Sequence, residues 1–397
     1  MTLGIGVVTF KILNLIKAMD DIYTQSLNLH KKYKGKIELV SKVPVTNKEE
    51  LALVYTPGVA EVSRAIGRDK MLAYEYTAKG NMVAIVSDGS AILGLGNLGA
   101  HAAIPVMEGK AVLFKKLAGI DAFPICVNTQ NTEDIISLVK NIAPMFGAIN
   151  LEDISAPRCF EIEKRLRNEL DIPVMHDDQQ GTAVVVLAGL INALKVRGGT
   201  KETVRVVLSG AGAAGTAVAK LLILYGFKNL IVSDSHGAIY QGRGNMNSDK
   251  EKLAQITNYN NRKGILTEIL MDSDIFIGLS MGNILTSDMV RSMAKDPIIF
   301  AMANPVPEIM PDVAKAAGAF IIATGRSDFP NQINNSLAFP GIFRGALDNH
   351  IKQFTEKMFL DSAEGLAGYV KNPTAEQLLP LPLDMGVALV IKSAIKQ

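Results

Sequence analysis

Cysteine is scarce in this chain: only Cys126 and Cys159 occur, without CxxC or metal-ligand spacing. That argues against a disulfide framework or a thiolate metal centre and fits a reducing, cytoplasmic setting. An excess of charge of either sign is also missing. Lys and Arg number 41 against 39 Asp and Glu, a net charge of +2, so there is neither a nucleic-acid footprint nor the composition of a disordered chain. A clean membrane span is lacking as well. The longest stretch free of Asp, Glu, Lys and Arg, from Gly89 to Met107, contains four glycines, Asn97, His101 and Pro105. Residues 2 to 10 are apolar, but no basic region precedes them and Lys11 and Lys17 interrupt the apolar run beyond residue 10, which reads against a secretory signal. There remains a chain of 397 residues, 48% hydrophobic, with enough apolar material for two or three cores at roughly 150 residues per domain.

At the N-terminus Ile5, Val8, Ile12, Leu15, Ile16 and Met19 fall at helical spacing and describe an amphipathic arm, a natural surface for a second subunit. An equally good reading makes residues 1 to 18 an extension ahead of a start at Met19. From residue 82 onward, apolar runs of four to six residues alternate with helix-length stretches, the pattern of an α/β chain with parallel sheets. The first group of expected strands is 82–86, 122–127, 148–151 and 172–175. The second is 204–208, 229–233, 274–279, 298–302 and 319–324. Between them, residues 181 to 199 form an apolar helix that should be buried between domains. The expected organisation is a helical arm (1–45), an α/β domain for substrate and metal (46–180), a Rossmann-type dinucleotide-binding domain (181–345) and a C-terminal helical segment (346–397).

The pattern G-x-G-x-x-G occurs twice, as GLGNLG (94–99) and GAGAAG (210–215). The second follows a strand without a gap, opens a helix, and is followed by a strand ending at Asp234, 19 residues beyond Gly215. Gly210, Gly212, Ala213, Ala214 and Gly215 therefore form the expected pyrophosphate loop, with Asp234 at the adenosine ribose. A carboxylate there favours NAD, although Ser235, His236, Arg243 and Lys250 lie close in sequence and keep NADP open. The first motif reads instead as a loop lining a substrate pocket. Two further strands end in acids, Glu152 and Asp153 after one, Asp177 and Asp178 after the other. The intervening 25 residues suit a helical crossover, so both pairs should emerge at one sheet edge. Such acids either begin helices or gather around a hard divalent cation, Mg²⁺ or Mn²⁺, and His176 reads as a packed neighbour.

In order along the chain stand YTPGVA (55–60), VSDGSAILGLGNLGA (86–100), IPVMEGK (104–110), LEDISAP (151–157), HDDQQGTA (176–183), GAGAAG (210–215), AMANPVPE (301–308) and NNSLAFPGIFRG (334–345). Together they resemble the malic enzymes of the short, bacterial type. The resemblance implies oxidative decarboxylation of L-malate to pyruvate and CO₂, reduction of NAD or NADP, dependence on Mg²⁺ or Mn²⁺, and a homodimer. It places Lys110 and Tyr55 at the family's catalytic lysine and tyrosine, Asp177 beside the lysine, and Glu152, Asp153 and Asp178 at the metal. Asn304 and Asn335 fall where amides contact malate or the nicotinamide. One departure is Ala91, where long-type members carry an arginine for a malate carboxylate; Ser90, the glycine loop and Asn335 are the candidates to replace it. A dehydrogenase of another 2-hydroxy or amino acid that keeps its CO₂, and a non-catalytic nucleotide sensor, are the competing readings.

Overall fold

The computed structural model describes residues 21 to 396, so the apolar stripe from Ile5 to Met19 and the question of residues 1 to 18 lie outside the described residues. Two units divide at Pro44. The described part of the first is a helix over residues 21–33, α1, followed by an extended segment, with Leu27 and Tyr33 exposed.

The second unit opens with three short helices, α2 (Lys48–Val54), α3 (Val59–Arg68) and α4 (Leu72–Tyr76). Then strand and helix alternate as β1 (Met82–Ser87), α5 (Ala100–Ala118), β2 (Asp121–Cys126), α6 (Thr132–Ile142), β3 (Ala148–Leu151), α7 (Arg158–Glu169) and β4 (Val174–His176). These four strands make a parallel sheet in the order β2-β1-β3-β4. Its order reverses between β1 and β3, and in open α/β sheets ligands sit outside the strand ends at that point.

α8 (Asp177–Arg197) joins the two halves. By length and composition it is the one described helix apolar enough to cross a membrane, yet every residue from Ala183 to Leu190 is buried inside the protein. It is a core helix, apolar on all sides because protein surrounds it. The second half runs β5 (Arg205–Ser209), α9 (Ala213–Tyr225), β6 (Asn229–Asp234), β7 (Gly237–Ala238), α10 (Ser248–Ile256), α11 (Leu266–Leu270), β8 (Ile275–Gly278), α12 (Ser287–Ser292), β9 (Ile298–Ala301), α13 (Pro311–Ala316) and β10 (Ile321–Thr324). Its sheet has the order β10-β9-β8-β5-β6-β7, parallel except for β7, and reverses between β5 and β8. That is the Rossmann arrangement with its outermost strand reduced to two antiparallel residues. The chain closes with α14 (Phe339–Asp348), α15 (Glu356–Tyr369) and α16 (Met385–Ala394). One hydrophobic core runs from Val83 and Ile85 of the first sheet through α8 to Val206 and Leu208 of the second.

Candidate active site

β3 and β4 are neighbours in register, Leu151 opposite His176, so the residues just beyond them leave the sheet side by side. Glu152 and Asp153 continue β3 into a loop, while Asp177 and Asp178 form the first turn of α8, where the helix dipole favours negative charge. One ligand oxygen from each of Glu152, Asp153 and Asp178 lies within 4.8 Å of the others. The Asp153 amide donates to Asp178 Oδ2 at 2.8 Å, which ties the two strand ends together. From α5, Lys110 donates to Glu152 Oε1 at 2.6 Å and to Asp177 Oδ2, and its Nζ stands 4.5 Å from the centroid of the Phe339 ring. Asn150 Nδ2 donates to Glu152 Oε2 at 2.8 Å.

Four carboxylates and one ammonium in a buried site leave an excess of negative charge. Burial therefore pushes Asp153 up to about 9, with Asp178 and Glu152 adding to it. Asp177 rises to about 8, burial outweighing the pull of Lys110. Glu152 and Asp178 are raised for the same first reason. Lys110 behaves oppositely: burial disfavours its charge, but Asp177, Glu152 and Asp178 together hold it well above the ordinary lysine value. Asp153 Oδ2 is buried without a hydrogen-bond partner. An acceptor-only donor set of hard oxygens with one orphaned atom fits a divalent cation such as Mg²⁺ or Mn²⁺. His176 is fully buried, its Nδ1 3.7 Å from Asp178 Oδ2, and burial lowers its pKa, so it packs beneath the site as a neutral ring.

Lys110, Glu152, Asp153 and Asp178 line a cavity of about 410 Å³ together with Ala91, Gly94, Asn304 and Asn335, while Asp177 lies buried behind Lys110. GLGNLG thus contributes to this pocket through Gly94, while GAGAAG belongs to a second cleft of about 790 Å³ lined by Gly210, Gly212 and Asp234. A Cβ on Gly215 would lie 1.8 Å from the Gly210 carbonyl oxygen, so only glycine lets α9 start this close to the loop. Ala213 and Ala214 form its first turn, and Ala214 reaches the first cavity. Leu279 and Ser280, just beyond β8, line both spaces, so the two clefts share a wall.

Two expected site residues stand apart. Ser90 is buried away from the cavity, its hydroxyl donating to Asp88 Oδ1 at 2.6 Å and accepting from the Ser155 amide at 2.9 Å and Arg158 Nη2 at 3.0 Å. In this position it braces the loop after β1 and is not among the residues lining the cavity. Tyr55 is 67% exposed and does not line the cavity that holds Lys110. Sequence reasoning missed Asp88 and Arg158, joined at 2.9 Å, as well as Ser280, Thr182 and Asn334 in the cavity wall. The Asn-Asn pair at 334–335 was the available signal for the last of these.

A profile of the malic enzyme N-terminal domain matches residues 34–167, and one of the malic enzyme NAD-binding domain matches residues 179–387. The chain belongs to the malic enzyme family. A bifunctional malic/malolactic enzyme of Bacillus subtilis is 54% identical over 374 residues, covering 94% of this chain and 91% of the relative. The NAD-dependent malic enzyme of Geobacillus stearothermophilus is 56% identical over 348 residues, 88% of this chain and 73% of the relative. The crystal structure of the NAD-dependent malic enzyme from Thermotoga maritima superposes with a TM-score of 0.90 at 49% identity, covering 93% of this chain and 98% of that one. Malic enzyme relatives include NADP-dependent members too, such as that of Rhizobium meliloti, 48% identical over 91% of this chain and 48% of the relative. This chain is accordingly an NAD(P)-dependent malic enzyme.

Proposed function

We propose that the protein converts L-malate to pyruvate and CO₂ with reduction of NAD or NADP, using the cluster of Lys110, Glu152, Asp153, Asp177 and Asp178 on residues 46–180 against a nucleotide cleft on residues 181–345. The observation that carries this reading is the convergence of three carboxylates within 4.8 Å beside a buried lysine, in a cavity sharing a wall with that cleft. Glu152, Asp153 and Asp178 would hold a divalent cation, which would supply Lewis-acid stabilisation of the negative charge that builds on the substrate. A cation held there would offset Glu152 and Asp178, two of the carboxylates that keep Lys110 protonated, and so ease loss of its proton, while Asp177 stays beside it. Lys110 Nζ then takes the C2 hydroxyl proton as hydride passes to the nicotinamide, and Asp177, already hydrogen-bonded to it, stabilises the resulting ammonium. Asn304 and Asn335 orient substrate and nicotinamide, and Asn335 with the glycine loop takes the carboxylate that lacks an arginine at Ala91.

Loss of CO₂ leaves an enolate whose C3 needs a proton, and Tyr55 is the acid assigned to that step. Its exposure supports delivery from a second copy of the chain. The working form is a homodimer, and Leu51, Leu53, Val54, Val59 and Val62 beside Tyr55, all exposed, supply an apolar face for it. The two free cysteines support a cytoplasmic setting.

The test is cofactor reduction and CO₂ release with L-malate, with and without Mn²⁺. Both products should appear together and only with metal. Cofactor reduction without CO₂ would replace this reading with a simple dehydrogenase. Asp178→Asn should abolish turnover while the circular-dichroism spectrum and cofactor binding persist; full activity in that variant would remove Asp178 from the metal site.

A further inference from the structure

Glu308 stands in the loop between β9 and α13, yet it is fully buried. Its carboxylate turns back to bridge two loops. Oε1 accepts from the Ser280 amide, just beyond β8, at 3.2 Å, and Oε2 accepts from the Ala303 amide, just beyond β9, at 2.9 Å. Room for the carboxylate exists only because β8 ends in glycine: a Cβ on Gly278 would lie 2.2 Å from Glu308 Cδ and 2.4 Å from Oε1. Glycine weakens a strand, and here it marks a close approach. The main chain reinforces the same junction, the Asn283 amide donating to the Pro307 carbonyl at 3.0 Å and the Leu285 amide to the Glu308 carbonyl at 3.0 Å.

A buried charge is costly where a neutral side chain could fill the space. Burial indeed raises the Glu308 carboxyl, against the pull of the Ala303 and Ser280 amides. What only a carboxylate supplies is a pair of acceptor oxygens on one planar group. A glutamine would offer a single acceptor, and its NH₂ would face an N–H. Both loops are thus held at once and at a fixed separation. They also border the site: Ser280 lines both the nucleotide cleft and the Lys110 cavity, and Ala303 lines the cavity and is the root of the segment that carries Asn304. A cofactor seated on GAGAAG has to pass its nicotinamide along this shared wall to reach a substrate beside Lys110. Transfer then requires the reacting atoms to stand about 3–3.5 Å apart, so a small shift of the wall is felt in the rate.

We infer that Glu308 is a positioning residue for hydride transfer, bridging the ends of β8 and β9 so that Ser280 and Ala303 seat the nicotinamide against the substrate. It touches neither reactant and acts through the two loops. The inference rests on the nucleotide cleft of the proposed function and adds what fixes its reactive end.

The test uses the full chain carrying Glu308→Gln, which keeps the volume and one acceptor but sets a donor against a donor. Calorimetric titration with ADP-ribose, which lacks the nicotinamide, should give the same affinity as for the unmodified protein. NADH at saturation should lose most of the fluorescence gain it shows on the unmodified protein, because its ring is no longer held. With Mn²⁺, kcat for malate oxidation should fall about tenfold, the effect expected of leaving one buried donor unpaired, while decarboxylation of added oxaloacetate, which moves no hydride, keeps its rate. Gly278→Ala, which displaces the carboxylate with Glu308 intact, should reproduce this pattern. In the unmodified protein the Ser280 and Ala303 amides should exchange with deuterium as slowly as those within β8 and β9, a readout that needs no variant. Unchanged NADH fluorescence and kcat in Glu308→Gln, equal losses of malate oxidation and oxaloacetate decarboxylation, or fast exchange at Ser280 and Ala303 would each overturn the inference. Failure of ADP-ribose to bind the unmodified protein would bring down the nucleotide cleft and this inference together; ADP-ribose binding with a nicotinamide insensitive to Glu308→Gln leaves the cleft standing and removes only the role of Glu308.

Discussion

Lys110 and the four carboxylates around it make the site's stability depend on pH in an unusual direction. Asp153 and Asp177 carry pKa values raised to about 9 and about 8, chiefly by burial. Such a group binds more protons in the folded state than in the unfolded chain, where an aspartate titrates near about 3.9. The metal-free protein is therefore favoured at acid pH and loses stability as pH climbs from about 4 toward about 9. A divalent cation reverses the balance because it needs the ionised carboxylates. The rise in Tm on adding Mn²⁺ should be larger at about pH 8 than at about pH 6, measured by differential scanning calorimetry; an equal rise at both values would mean the cation binds elsewhere. The acids and Lys110 were legible in the sequence because strand-end position is a local property and the family motifs surround them. Arg158 was not, since its contact with Asp88 spans 70 residues and exists only because the loop after β1 folds beside the start of α7. Asp234 was legible as a position, with Arg243 and Lys250 as neighbours that could approach it; that both pair with its carboxylate depends on how the segment after β7 turns back.

Elements were read most accurately where burial makes a strand uniformly apolar. β3 has the expected limits, and the other expected strands reappear with edges moved by one or two residues. β7 was missed because two residues, Gly237 and Ala238, carry no periodicity. α8 starts at Asp177, four residues ahead of the apolar stretch that announced it. Of the acids that read as either helix-starting residues or metal ligands, Asp177 and Asp178 do begin α8, whose first turn welcomes negative charge, while Glu152 and Asp153 stand in the loop between β3 and α7. Packing of the terminal helices shows a constraint that composition hides. Gly341 and Gly345, one turn apart on α14, face α16 so closely that a Cβ on Gly341 would lie 2.7 Å from Ile391 Cβ. One on Gly345 would lie 2.6 Å from Ile395 Cβ and 2.8 Å from the Lys392 carbonyl oxygen. Gly345→Ala should cost about 1–3 kcal/mol through overpacking, read as a lowered Tm with cofactor affinity retained. An unchanged Tm would show that α16 can step aside.

Across the whole molecule, the face formed by α2 and α3 stays apolar and exposed in a single chain, and Tyr55 sits within it. If that face meets a second copy and delivers Tyr55 to the partner's Lys110, then Tyr55→Phe and Lys110→Ala chains, each inactive alone, should complement when mixed. About half of randomly formed dimers are hybrids and one of their two sites is intact, so recovery should approach about a quarter of the unmodified activity. No recovery in hybrids verified by mass spectrometry would mean that each site is built within one chain.

α8 carries Asp177 and Asp178 in its first turn and is buried along its middle, wedged between two sheets. Its start is therefore anchored to the part of the molecule that opens last. Thermal breathing that releases a surface loop cannot release these two acids without loosening the core, so their spacing from Lys110 is kept by the same event that keeps the protein folded. Amide protons from Val184 to Leu190 should exchange only through global unfolding, and metal added at the helix start should slow exchange at its distant centre. Entry and exit of malate then fall to the loops on the other side of the cavity, the glycine-rich turn after β1 and the segment holding Asn304.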